Sequence, residues 1–236
     1  MPADSIRSNQ STGTSFARFV SIKPVAVKEH RLKTKPRIGL FPGTFDPVHT
    51  GHLVFALKAV KEAKLDAVYF LPERRPRHKP DAVHFGHRTA MLTRAIRPYS
   101  CLGLLELPDV YFDVKRTLPK LQKQFKGADL VVLMGSDGLL KMNTDSWDSR
   151  DLGNFLAQVG LVIGLRKEQN KSQIKAALAN LPVQPVVTSI LDLPTKHFSS
   201  SRIRHNFRRG QTADGLLASV QVYAVKPGIG PVAGTA

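Results

Sequence analysis

The chain is short of cysteine, tryptophan, acidic residues and long apolar runs, and each shortage narrows what it can be. A single cysteine in 236 residues, Cys101, excludes an internal disulfide and a cysteine-built zinc site. Its place in the apolar run CLGLLEL makes it a core residue. No stretch approaches the roughly 18 apolar residues that cross a bilayer as a helix, and the N-terminus lacks the continuous apolar core of a secretory signal. A cytoplasmic protein with no membrane partner is expected; the Ser- and Arg-bearing first residues leave import into an organelle as the alternative. Acidic residues number 18 against 35 Lys and Arg, a formal charge of +17. That excess favours polyanionic partners, nucleotides and nucleic acids alike.

What is present divides the chain in three. Residues 1–36 lack a sustained apolar period and carry seven Lys and Arg against Asp4 and Glu29, which predicts a mobile basic extension. Residues 37–229 form one folded domain, and the Gly- and Pro-bearing residues 230–236 a frayed tail. Within the domain, the apolar runs RIGLF, DAVYFLP, CLGLLEL, DLVVLM, GLVIGL and PVVTSI read as buried strands. Between most of them lie helical patterns. HLVFALKAVKEAKL sets Leu53, Leu57 and Val60 on one stripe, HRTAMLTRAI follows the second strand, and residues 170–180 read as a surface helix. Pro119 is compatible with a helix only if that helix begins near Thr117. Strands alternating with crossover helices predict an α/β fold, a doubly wound parallel sheet. Two small helices, from RIRHNFRRG and LLASVQVYAV, form a C-terminal closing element.

In such a sheet, ligands bind at the carboxyl ends of the strands. GTFDPVHTGH, residues 43–52, occupies that place after the first predicted strand. Gly43 lets a ligand approach the backbone, and Gly51 relieves crowding at the helix start. Unpaired N–H groups of that helix's first turn form an anion site. His49 and His52, three residues apart, can aim ring N–H groups at one phosphate. A nearby polyphosphate would hold such an imidazole partly protonated.

GTFDPVHTGH resembles the GTFDPxHxGH signature of the HxGH nucleotidyltransferase superfamily, and of its nicotinate mononucleotide adenylyltransferases in particular. HFSSSRIR, residues 197–204, is similar to the ISSTxIR motif of that family, with Phe198 for its Ile, Ser201 for its Thr, and Ser199, Ser200, Ile203 and Arg204 in register. LPERRPRHKP, 71–80, looks like the family's PxxxPPHK loop and supplies Lys79. MGSD, 134–137, looks like its GxD element and supplies Gly135 and Asp137. The resemblance runs from Arg37 to the YAVKPGIG stretch.

The resemblance implies a Rossmann-like nucleotidyltransferase fold and in-line attack of a mononucleotide 5′-phosphate on the α-phosphorus of ATP, with Mg²⁺ accompanying ATP. It gives His49, His52, Lys79 and Arg204 to catalysis. It assigns ATP to Gly43, Thr44, Phe45, Asp46, Gly51, Gly135, Asp137, Ser199, Ser200, Ser201 and Ile203, with Asp46 ordering the signature loop. The partners are ATP and a nicotinate or nicotinamide mononucleotide, in NAD biosynthesis. Thr117 is assigned to the acceptor pocket. Trp147, the lone tryptophan, either stacks on the acceptor ring or anchors helices. Three departures stand out: Pro42 for a Gly before the signature, Arg77 for the second Pro of PPHK, and Arg116 for an acid within DVYFDVKRTLPKL, residues 109–121. The altered segment keeps two alternatives open: a nucleotidyltransferase with a different phosphate acceptor, and a basic nucleic-acid-binding protein on an inactive core.

Overall fold

A computed structural model describes residues 18–19, 35–77, 79–142, 148–166, 169–185, 188–211 and 214–224. Six apolar runs form parallel strands: β2 (Arg37–Gly43), β3 (Ala67–Pro72), β4 (Leu102–Glu106), β5 (Asp129–Gly135), β6 (Gly160–Gly164) and β7 (Thr188–Leu191). A two-residue strand, β1 (Arg18–Phe19), pairs antiparallel with β4 through Arg18–Glu106 and Phe19–Leu105. The predicted basic extension thus adds one contact to the sheet edge; its other residues up to Thr34 lie outside those described. The same holds for residues 225–236, including the predicted tail.

The strand order is β1-β4-β3-β2-β5-β6-β7. Progression runs one way from β2 to β4, then restarts on the other flank with β5, which opens a crevice beside the end of β2. Pro42 belongs to that opening. The Gly43 carbonyl accepts from the Glu73 N–H at 3.0 Å, so Gly43 faces β3 and its neighbour Pro42 faces β5. Pairing between β2 and β5 ends at Leu40–Val132. The proline's missing N–H therefore costs no ladder bond.

Helices cover both faces. One face buries Leu40, Tyr69, Leu105, Val132 and Ile163 beneath α3 (Thr117–Gln124), α4 (Ser136–Met142), α5 (Ser149–Leu156) and α6 (Lys171–Ala179). The other buries Phe41, Phe70, Leu104, Val131 and Val162 beneath α1 (Thr50–Glu62), α2 (Phe85–Ile96) and Val220 of α8 (Ala218–Ala224). Cys101 packs partly buried against this second face, and burial raises its thiol pKa. The doubly wound sheet is as expected, and α7 (Ser200–Arg208) with α8 forms the closing pair. Pro119 sits in the first turn of α3. On α1 the buried residues include Leu53, as expected, with Phe55, Ala56 and Ala59, while Leu57 and Val60 are only partly buried. The expected stripe thus holds at Leu53 and is otherwise shifted to Phe55, Ala56 and Ala59, the two alanines letting the helix lie close to the sheet.

Candidate functional site

The loop from Gly43 to His49 leaves β2 through Phe45, whose φ of 52° is left-handed backbone that a bulky residue rarely adopts. The turn folds the Phe45 ring back over Gly43, where a Cβ would meet it at 3.0–3.3 Å. Gly43 therefore makes room for this ring. Edge contacts from Phe45 to Phe41 and Phe70, both at 5.3 Å, fix the ring.

Four tethers hold the rest of the loop. The Thr44 carbonyl accepts from Arg88 at 2.7 Å. The Asp46 carboxylate accepts from the Val83 N–H at 3.3 Å, and the Asp46 carbonyl accepts from the Arg204 guanidinium. The Ser200 hydroxyl donates to the Pro47 carbonyl at 3.0 Å. The expected ordering role of Asp46 thus has a visible form: its side chain, 3% exposed, joins α7 to the segment before α2. Arg88, which the sequence reading passed over, is 1% exposed and also donates to the carbonyls of Val83, Glu73 and Arg74 at 2.8, 2.8 and 3.2 Å. Its signal was a charge on the apolar face of α2, at helical spacing from Met91, Leu92 and Ala95.

His49 caps α1 and is 2% exposed. Its ring lies 3.8 Å from that of His52, tilted by 31°. Gly51 makes this stack possible, because a Cβ there would come within 2.9 Å of the His49 ring. The His52 Nδ1 accepts from the His49 backbone N–H at 3.2 Å, which puts the proton of a neutral ring on Nε2. Phe45 meets the His52 ring edge-on at 5.1 Å. Burial, then the Arg166 charge, lowers the His49 pKa to about 3. Burial also holds His52 well below its ordinary value, reinforced by His49, Arg166 and Lys79. Both shifts favour the neutral imidazole, and a polyphosphate beside the pair would oppose them. The first helical N–H is not open either: Thr50 donates both its amide and its hydroxyl to the Gly215 carbonyl, at 2.8 and 3.0 Å.

A cleft opens beside the pair, lined by His49, His52, Gly135, Arg166, Lys196 and Phe198 among others. Arg166, missed in the sequence, follows β6 and donates its N–H to the buried Ser136 hydroxyl at 3.0 Å. Gly135 admits its side chain, since a Cβ there would lie 3.0 Å from the Arg166 Nε. Lys79 is exposed, yet desolvation and then Arg204 lower its pKa, with Asp46 and Glu73 opposing. Arg166 and Lys79 thus set positive charge beside the histidines, with Arg204 next to Lys79.

The remaining expected residues fall as follows. Ser199 caps α7 by accepting the Arg202 N–H at 3.2 Å, Ser201 is exposed with Arg204 at 3.4 Å, and Ile203 is buried. Asp137 stands exposed at the start of α4, held by Gln169 at 3.3 Å. Thr117 is fully buried; its hydroxyl donates to Asp109 at 2.9 Å and accepts from the Asp113 N–H at 3.0 Å. Those bonds brace the 109–117 loop from within and leave Thr117 out of the cleft. Trp147 and His78 lie outside the described residues. Among the described residues, no three His, Cys, Asp or Glu side chains cluster as a metal site, and no helix is long and apolar enough to cross a membrane.

Residues 40–206 match the cytidylyltransferase-like family. A probable nicotinate-nucleotide adenylyltransferase of Neisseria gonorrhoeae is 33% identical over 201 residues, covering 82% of this chain and 98% of that relative. One from Thermomicrobium roseum is 30% identical over 188 residues, covering 75% and 82%. A solved structure of Plasmodium falciparum nicotinic acid mononucleotide adenylyltransferase complexed with NaAD superposes with a TM-score of 0.66 over 81% of this chain and 95% of that one. At 17% identity that likeness speaks for the fold alone. The match spans the signature loop, the crevice and α7 together, and by it the chain belongs to the cytidylyltransferase-like family, within the nucleotidyltransferase superfamily that includes the nicotinate-nucleotide adenylyltransferases.

Proposed function

We propose that the protein transfers AMP from MgATP to the 5′-phosphate of nicotinate or nicotinamide mononucleotide, releasing pyrophosphate and forming the dinucleotide of NAD biosynthesis. The observation that carries this reading is the stacked His49–His52 pair at the head of α1, with Arg166 and Lys79 beside it and Arg204 next to Lys79. An attacking phosphate monoester needs no activated side chain; it is already a nucleophile. Its oxygen forms the new bond to the α-phosphorus as the bond to the β-phosphate oxygen breaks, and pyrophosphate leaves with that electron pair. What the protein supplies is position and charge. His52 offers Nε2–H as a donor whose direction the Nδ1 bond fixes. Arg166 lies on the β5–β6 side and Lys79 on the β3 side, so the two nucleotides meet between them. The bound phosphates bring negative charge to both imidazoles, which raises their proton affinity as reaction proceeds. Mg²⁺ enters with ATP as part of the substrate.

Pyrophosphate and dinucleotide formation from MgATP tests this with nicotinate mononucleotide, nicotinamide mononucleotide, pantetheine phosphate and glycerol phosphate as acceptors. Product is expected from a pyridine mononucleotide, and His52→Ala should lower turnover by about 10²- to 10⁴-fold, the scale of losing one transition-state donor. A folded His52→Ala protein with near-normal turnover overturns the reading.

A further inference from the structure

Two of the three departures from the family pattern, Arg77 and Arg116, lie far apart in the sequence and come together in space. The Arg77 guanidinium stands 3.7 Å over the Tyr111 ring and that of Arg116 5.7 Å from the same ring. Both turn toward one carboxylate, Asp113, at 3.9 and 3.7 Å. These distances exceed the roughly 2.7–2.9 Å of a direct charge-assisted hydrogen bond, and the two arginine side chains are 56% and 58% exposed. One carboxylate thus faces two guanidiniums whose donors are largely uncommitted. The cluster carries one net positive charge beside an aromatic ring and the exposed Val110.

Its position is set by the backbone. The loop after β3 is laced to the loop after β4 by the Arg75 N–H donating to the Val110 carbonyl at 3.1 Å and by the Arg74 Nε donating to the Leu107 carbonyl at 3.2 Å. Glu73 joins the signature loop on one side, through Gly43, and the Phe112 amide on the other. The lined cleft, with Gly135, Arg166 and Lys196, lies on the β5–β6 side of the histidines, and in the reaction proposed above it is assigned to one nucleotide. A second nucleotide whose phosphate reaches His52 and Lys79 must extend the other way, along the ends of β3 and β4. The Arg77–Tyr111–Arg116 cluster stands at that end.

The geometry points to Arg77 and Arg116 as the residues that read the acidic substituent of the acceptor ring, so that a pyridine mononucleotide bearing a carboxylate is favoured over its carboxamide counterpart. This rests on the reaction proposed above. A carboxylate presents two acceptor oxygens to the paired guanidiniums and supplies the negative charge that the cluster lacks; a carboxamide adds N–H donors where only donors await it.

The test is the ratio of kcat/KM for nicotinate mononucleotide to that for nicotinamide mononucleotide. Arg116→Gln and Arg77→Gln should each lower the ratio about tenfold, mainly through KM, as for a lost hydrogen bond to a charged group. Asp113→Asn keeps an oxygen that can accept the Arg116 N–H, now bonded at 2.9 Å, yet removes the competing charge; it should raise the ratio. Added salt should lower the wild-type ratio, and Arg116→Lys should restore part of it. A ratio that stays within about twofold of wild type in both glutamine variants and in Asp113→Asn overturns this inference and leaves the proposed reaction standing. Product from neither pyridine mononucleotide overturns both.

Discussion

At the scale of single residues, the site depends on side chains held neutral by their surroundings. His49, whose pKa falls from 6.5 to about 3, binds no proton in the folded protein over a range where the unfolded chain does. A depressed histidine makes stability fall with pH: the cost is absent above 6.5 and grows until the folded pKa is reached. By pH 5 it amounts to about 2 kcal/mol, and His52 adds in the same direction. Urea unfolding at pH 7 and pH 5 should therefore show a midpoint drop in wild type that is smaller in His49→Gln. Gly51 makes a second prediction. Gly51→Ala improves helix propensity but drives a methyl into the His49 ring. Turnover should fall by about tenfold or more, while the melting temperature moves by no more than a few degrees; a variant with full turnover would show that the stacking is dispensable. Such residues differ in how legible they were. The HxGH run is contiguous, so its chemistry is written in one stretch. Arg88 and Arg166 bond to atoms of loops and of a helix start elsewhere in the chain, and periodicity reveals only that each is a charge in an odd place.

Among elements, the strands were the easiest to foresee, because a strand buried on both faces is a continuous apolar run bounded by polar residues. The crossover helices α1 and α2 were visible for a related reason, their apolar residues recurring at helical spacing. Short α4 and α5, seven and eight residues, offer too few turns for a period to emerge, and β1 has only two residues. What periodicity cannot convey is how loops are joined, and here Arg88 is decisive. It donates to four carbonyls from two loops, those that follow β2 and β3, a task that demands the planar fork of a guanidinium. Arg88→Lys keeps the charge, loses most of those bonds and should destabilise the protein by about 2–4 kcal/mol in urea unfolding. If stability were unaffected, the four carbonyls would have to find other donors, and the loop tethering described here would be wrong.

Across the whole molecule, the formal charge is +17, and the reaction proposed above brings two phosphorylated ligands to it. Long-range attraction of that kind weakens with ionic strength. The KM for ATP should rise as salt is raised from about 0.05 to 0.5 M, with kcat less affected. A KM independent of salt would mean that the excess charge serves something other than substrate capture. The doubly wound architecture was readable from alternation alone, and its C-terminal closing pair from two short amphipathic stretches. The reversal of strand order at β2, which creates the crevice, was not, because periodicity records what each strand buries and not which strand lies beside it.

The carbonyl of Gly215 that receives Thr50, 165 residues away, also says something about how the protein is made. Gly215 takes a φ of 83° above the Phe198 ring, where a Cβ would come within 2.7 Å. On the ribosome the histidines emerge early. The Ser200 and Arg204 tethers and the Gly215 carbonyl come from near the other end of the chain, and contacts so distant in sequence form late. A nascent chain thus displays the whole signature loop well before the segments that tether it have been made.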